Sequence, residues 1–168
     1  MDFQCGDQVV YGVQGVCRIV EVEHRKVDQK IVEYFVLVPC SQTDARYYVP
    51  VHNQAALAKM RKLLSRSELE ALLDSEEVRE DYWIPEENLR KGSYRNLLAR
   101  GASPEMIGTI RALYAQRQKQ MELGRRLHLC DENFLKDAQR ILCAEVAQIL
   151  QVSPREAEDY LRTRLERE

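Results

Sequence analysis

Between residues 8 and 50 the apolar positions come in short dense runs rather than at helical intervals. QVVYG, GVCRIVEVEHR, KIVEYFVLVP and ARYYVPV are rich in Val, Ile, Tyr and Phe, with turn residues between them. Such side chains suit a pleated, half-buried surface, so the runs predict four or five strands. Gly12 and Gly15 bracket one tight connection, VDQK (27–30) makes a second, and SQTDA (41–45) a third. Connections this short join antiparallel neighbours, because parallel strands need a crossover of roughly a dozen residues. KIVEYFVLVP is apolar on both faces, which predicts a central strand. The run of curved strands predicts a small SH3- or Tudor-like barrel, ended at Pro50, whose nitrogen cannot donate to a sheet.

From about residue 53 the period lengthens to 3.6. Ser65 and Glu68 form an S-x-x-E capping box ahead of Leu69, Leu72 and Leu73. Ser103-Pro104 is a cap followed by proline at the first helical position, and Met106, Ile107, Ile110, Leu113, Tyr114 and Met121 recur at helical spacing after it. Residues 131–150 place Phe134, Leu135, Ala138, Ile141, Leu142, Val146, Ile149 and Leu150 on one stripe. Ser153-Pro154-Arg155-Glu156 opens a last helix to the C-terminus. The fold class is therefore α+β. An N-terminal antiparallel barrel covers 1–52, a linker with a short helix covers 53–64, and an all-α bundle covers 65–168.

Composition narrows the function classes. The 168 residues are 45% hydrophobic and 31% charged, as in an ordinary globular protein. No apolar stretch approaches the ~18 residues of a membrane span, and MDFQCGDQVVYG lacks the basic-then-apolar order of a signal peptide, so a cytoplasmic protein is expected. Five cysteines without a CxxC pair predict free thiols and no zinc site. His24, His52 and His128 are scattered, and there is no HExxH, GxSxG or Gly-rich phosphate loop. Neither an enzyme nor a cofactor is predicted.

The net charge of −2 conceals a strong asymmetry. Residues 66–89 hold nine acidic side chains against Arg66 and Arg79. Residues 90–126 hold Arg90, Lys91, Arg95, Arg100, Arg111, Arg117, Lys119, Arg125 and Arg126 against Glu105 and Glu122. Such a basic block either solvates a helix surface or contacts phosphates, with affinity then falling as salt rises. Trp83, the sole tryptophan, stands near the change of sign, in EDYWIPEENLRKG. An indole beside Tyr82 and Ile84 either plugs a core or serves as a wedge against an unstacked base step, with Arg90 and Lys91 beyond it for the phosphates. Composition leaves both readings open.

The succession FQCGDQVVYGVQGVCRIVEVE, EYFVLVP and YYVPV resembles the RNA-polymerase-interacting domain of the CarD-like bacterial transcription regulators, a module similar to one in transcription-repair coupling factors. The Trp, the basic residues, L-x-x-G (Leu98–Gly101), IRALYAQRQ and FLKDAQRILCAEVA resemble the family's helical DNA-binding domain. The resemblance implies a non-enzymatic regulator. Its barrel would bind the polymerase β subunit, and its helices would touch promoter DNA at the upstream edge of the bubble, stabilising the open complex. Arg25 matches a family arginine that pairs with the polymerase. Tyr48 stands where a second family arginine precedes Val-Pro, with Arg46 two residues earlier. Trp83 would be the wedge, and Arg90, Lys91, Arg95, Arg100, Arg125 and Arg126 the cations on DNA. Where family members carry basic residues directly after the Trp, this chain has Ile84-Pro85-Glu86-Glu87, and Glu132 stands at a family basic position. The alternative is a polymerase-bound adaptor whose helical domain recruits another protein and not DNA. A monomer is favoured in either case.

Overall fold

The computed structural model describes residues 2–41 and 44–165. The chain divides into two compact units, Met1–Leu63 and Leu64–Glu168. The first is a five-stranded antiparallel sheet of β1 (Gln8–Tyr11), β2 (Val16–Val27), β3 (Lys30–Pro39), β4 (Tyr47–Pro50) and β5 (Met60–Lys62). Its strand order is β4-β3-β2-β1-β5. Asp28 and Gln29 both have positive φ, the geometry that a two-residue hairpin needs to match the strand twist, and Val27 pairs with Lys30 across it. Of the SQTDA connection, residues 42–43 lie outside the described residues.

Two expectations change here. The sheet is open rather than closed into a barrel, with β4 and β5 as its edges. After β4, Asn53 caps the short helix α1 (Gln54–Leu57) by accepting from the Ala56 N–H at 3.1 Å. Ala56 and Leu57 pack against the sheet's core, and the chain then returns to pair with β1 instead of β4. The stretch 53–64, expected as a linker with a short helix, holds that helix and also supplies the fifth strand, while β3, paired with β2 and β4, lies inside the sheet as expected. The core of this unit is Val9, Cys17, Ile19, Phe35, Leu37, Val49 and Met60.

The second unit holds α2 (Arg66–Asp74), α3 (Glu87–Arg100), α4 (Pro104–Glu122), α5 (Leu129–Leu150) and α6 (Pro154–Leu165). The capping residues act as the sequence implies. Ser65 and Glu68 exchange both bonds of a capping box, Ser103 accepts from the Met106 N–H, and Ser153 and Glu156 repeat the box before α6. Leu69, Leu73, Ile107, Ile110, Leu113, Leu135, Leu142 and Leu161 are buried in one core. Leu161 and Leu165 of the last helix turn into that core. Met121, at the end of its apolar stripe, is 63% exposed. No helix among the described residues is long and apolar enough to cross a membrane.

Candidate functional site

In the sheet, a one-residue slip decides which side chains face outward. The β2–β3 register shifts between Ile19 and Glu21, leaving Val20 as a bulge. Ile19 pairs with Leu37 on the core side, whereas Glu21 pairs with Val36, and Val36 with Tyr48. Side chains alternate every residue, so without the bulge Glu21, Glu23 and Arg25 would share the face of Cys17 and Ile19. The extra residue turns them to the opposite face, in rows with Tyr34, Val36 and Tyr48.

On that face the three residues expected to contact polymerase come together. The Arg25 guanidinium lies 4.0 Å from the centroid of the Tyr48 ring, and Tyr34 meets Tyr48 edge-on at 6.5 Å. Arg25 Nε donates to Glu23 Oε1 at 2.6 Å, and Arg46 Nη1 to Glu21 Oε1 at 3.3 Å. These ion pairs are solvent-exposed and contribute little to stability. Sequence reasoning missed Glu21, Glu23 and Tyr34, because only the register shows that they share a face.

In the helical unit, Trp83 belongs to a segment without regular secondary structure, Glu80–Glu86, pinned at several points to the helices behind it. Just before the segment, Arg111 of α4 donates to the carbonyl of Val78, in the 3-10 turn Glu77–Arg79, at 3.0 Å. The Tyr82 ring packs on Gly108 of α4, where an added Cβ would overlap it. Arg90 makes the remaining bonds. Its Nη1 donates to the carbonyls of Ile84 and Pro85 at 3.0 and 3.3 Å, and its guanidinium lies 4.5 Å from the Trp83 ring centroid. Its Nε and Nη2 form a two-pronged pair with Asp131 of α5 at 2.7 and 2.9 Å, and Tyr94 donates its hydroxyl to the same carboxylate.

This geometry corrects the expectation for Arg90. The side chain is 4% exposed, and its donors are committed to Asp131 and the backbone, so it positions Trp83 and is not open to a phosphate. Burial alone would raise the Asp131 pKa, but hydrogen bonds from Arg90 and Tyr94 outweigh it and hold the carboxyl below its usual range. The same pairing raises the Arg90 pKa. Asp131 and Gly108 were not foreseen as parts of the site. A glycine inside an apolar helical stripe (IGTI) was the one available signal, since it costs about 1 kcal/mol against alanine unless something packs there.

The other cations remain on the surface. Lys91 pairs with Glu87 at 3.0 Å, and Arg100 reaches Glu105 at 3.7 Å. Arg95, Arg125 and Arg126 are exposed, and their side chains have no partner among the described residues. The acids after Trp83 are engaged: Glu86 accepts from the Asn88 and Leu89 N–H groups and caps α3, and Glu87 pairs with Lys91 and His128. Trp83 is half-buried and lines a cavity of about 260 Å³. Leu127 lines both this cavity and a wider groove of about 560 Å³, which also has Arg117, Met121, Arg125, Arg126 and Glu132 in its walls. Trp83 and the pair Arg125–Arg126 are thereby brought to adjoining hollows of one surface.

The five cysteines are all unbridged, as expected. Burial pushes the thiols of Cys17 and Cys143 up to about 11, which leaves them unreactive. A search of curated proteins finds no match to the chain. Residues 3–64 match the family model of the CarD-like/TRCF RID domain, a span that coincides with the open sheet and its α1–β5 extension. The first unit of this chain thus matches the CarD-like/TRCF RID domain over nearly its whole length.

Proposed function

We propose that the protein is a non-enzymatic transcription regulator. In this reading the outer face of the sheet holds the polymerase β subunit, and the helical unit contacts promoter DNA at the upstream edge of the bubble, stabilising the open complex. The observation that carries the DNA half is the fixed presentation of Trp83. A buried Arg–Asp pair, two carbonyl bonds and a glycine-seated tyrosine hold an irregular segment so that the lone indole borders an open hollow. The adjoining groove carries Arg117, Arg125 and Arg126. Aromatic contact with a base is worth about 1–3 kcal/mol, which shifts an opening equilibrium roughly 5- to 150-fold.

The test uses the full chain with core polymerase and holoenzyme. Arg25→Glu is expected to abolish binding to core enzyme, because it replaces the cation over Tyr48 with a third carboxylate beside Glu21 and Glu23. Trp83→Ala is expected to leave that binding intact while shortening open-complex lifetime at least 5-fold, within the range given by the stacking energy. A folded Trp83→Ala protein with unchanged lifetime removes the DNA reading. A second reading, protein recruitment by the helical unit, is favoured by Met121, Leu123 and Leu129, which are 63, 65 and 75% exposed and have no use on a phosphate backbone. Absent or salt-independent DNA binding selects it.

A further inference from the structure

The cavity beside Trp83 has a composition that the wedge role leaves unexplained. Its walls include Trp83, Pro85, Gln116, Gln120, Leu127 and His128. Gln116 and Gln120 lie one helical turn apart on α4 and are half-buried, and neither carboxamide has a hydrogen-bond partner among the described residues. Neither amide is a buried, unsatisfied group, so both stay open to solvent or to a ligand. Two free amides, each with donors and an acceptor, therefore border one hollow with an indole as another wall.

The charges around the hollow cancel. Arg90 is paired with Asp131, and Glu87 with Lys91 and His128. A phosphate gains nothing from such a wall, whereas an uncharged, planar ligand with donors and acceptors on its edge fits it. The cations lie instead in the adjoining groove, beyond Leu127. An aromatic plane for stacking, carboxamides for an edge and arginines at the exit are the elements with which proteins hold a base outside its stack.

We propose that this cavity binds a single unpaired nucleobase, with the indole supplying a stacking surface, Gln116 and Gln120 reading the base edge, and Arg125 and Arg126 holding the flanking phosphates. The proposal rests on the reading that the helical unit meets DNA and specifies what it takes there: a base already released from pairing, rather than the edge of an intact duplex.

Trp83 is the only tryptophan of the chain, so its emission reports directly on the cavity. The full-length protein would be titrated with a short perfect duplex and with the same duplex carrying one unpaired adenine. The adenine-bearing DNA should bind roughly 5- to 150-fold more tightly, the range of a good bidentate amide–base contact, and should quench the emission. Gln116→Ala with Gln120→Ala, both on the surface side of α4, should erase the preference while leaving affinity for the perfect duplex unchanged. Either single substitution serves if the double variant loses its helical signal. Equal affinity for the two DNAs, or a preference that survives in the glutamine variants, overturns the base site and leaves the DNA reading standing. No binding of either DNA at low salt overturns both.

Discussion

Arg90 shows how position in the fold can reverse the meaning of a residue. In the sequence it opens the basic block after Trp83, whereas in the structure it is buried against Asp131. Removing one member of a buried, two-pronged pair leaves the other charge uncompensated and costs about 3–5 kcal/mol. Asp131→Asn should destabilise the helical unit on that scale and shift Trp83 emission, since the Ile84 and Pro85 carbonyls share the same guanidinium. The pH dependence has a definite sign. Asp131 is held below its ordinary value of 3.8, so the stability that it contributes is fully present above that value and is lost as pH falls through its lower folded value. Urea unfolding followed from about pH 7 to about pH 3 should show a fall on the acid side that is shallower in Asp131→Asn. Identical acid slopes in the two proteins would remove the charge-based account. None of this was legible in the chain, because residues 90 and 131 are far apart in sequence and neither sits in a recognisable motif.

At the scale of elements, the competition at Gly108 is decided by packing rather than propensity. Alanine would favour α4 by about 1 kcal/mol. The added methyl group, however, would overlap the Tyr82 ring, and overpacking of this kind costs about 1–3 kcal/mol. Gly108→Ala should therefore lower the melting temperature despite its better helix propensity, and should alter Trp83 emission, because Tyr82 is its neighbour in the pinned segment. A higher melting temperature with unchanged emission would mean that the ring relocates freely. Elements with local signals were readable: the capping boxes of α2 and α6, the Ser-Pro start of α4 and the stripe of α5 each depend on residues close together in the chain. What escaped depends on partners. α3 buries Arg90, Tyr94 and Leu97 in place of an apolar stripe, so its pattern is faint. The bulge at Val20 exists only relative to β3, and β5 forms a strand only because β1 offers it an edge.

For the whole molecule, the proposed function assigns the two units unequal energetic tasks. In that proposal the first unit tethers the chain, and a short flexible tether would convert the second contact into an intramolecular one at an effective concentration on the order of millimolar. The helical unit then needs only weak affinity for DNA, which suits a surface whose uncompensated cations include Arg95, Arg125 and Arg126 and whose remaining charges are largely paired. Each phosphate contact adds about one unit to the salt dependence of binding. Arg125→Ala with Arg126→Ala should therefore flatten the plot of log affinity against log salt by about 2 for free DNA. In the polymerase-bound complex the same variant should shorten open-complex lifetime while leaving occupancy of the polymerase unchanged, since the tether does not involve these residues. An unaltered salt slope would place the phosphate backbone elsewhere and leave the exposed Met121 and Leu129 as evidence for a protein partner in the same groove.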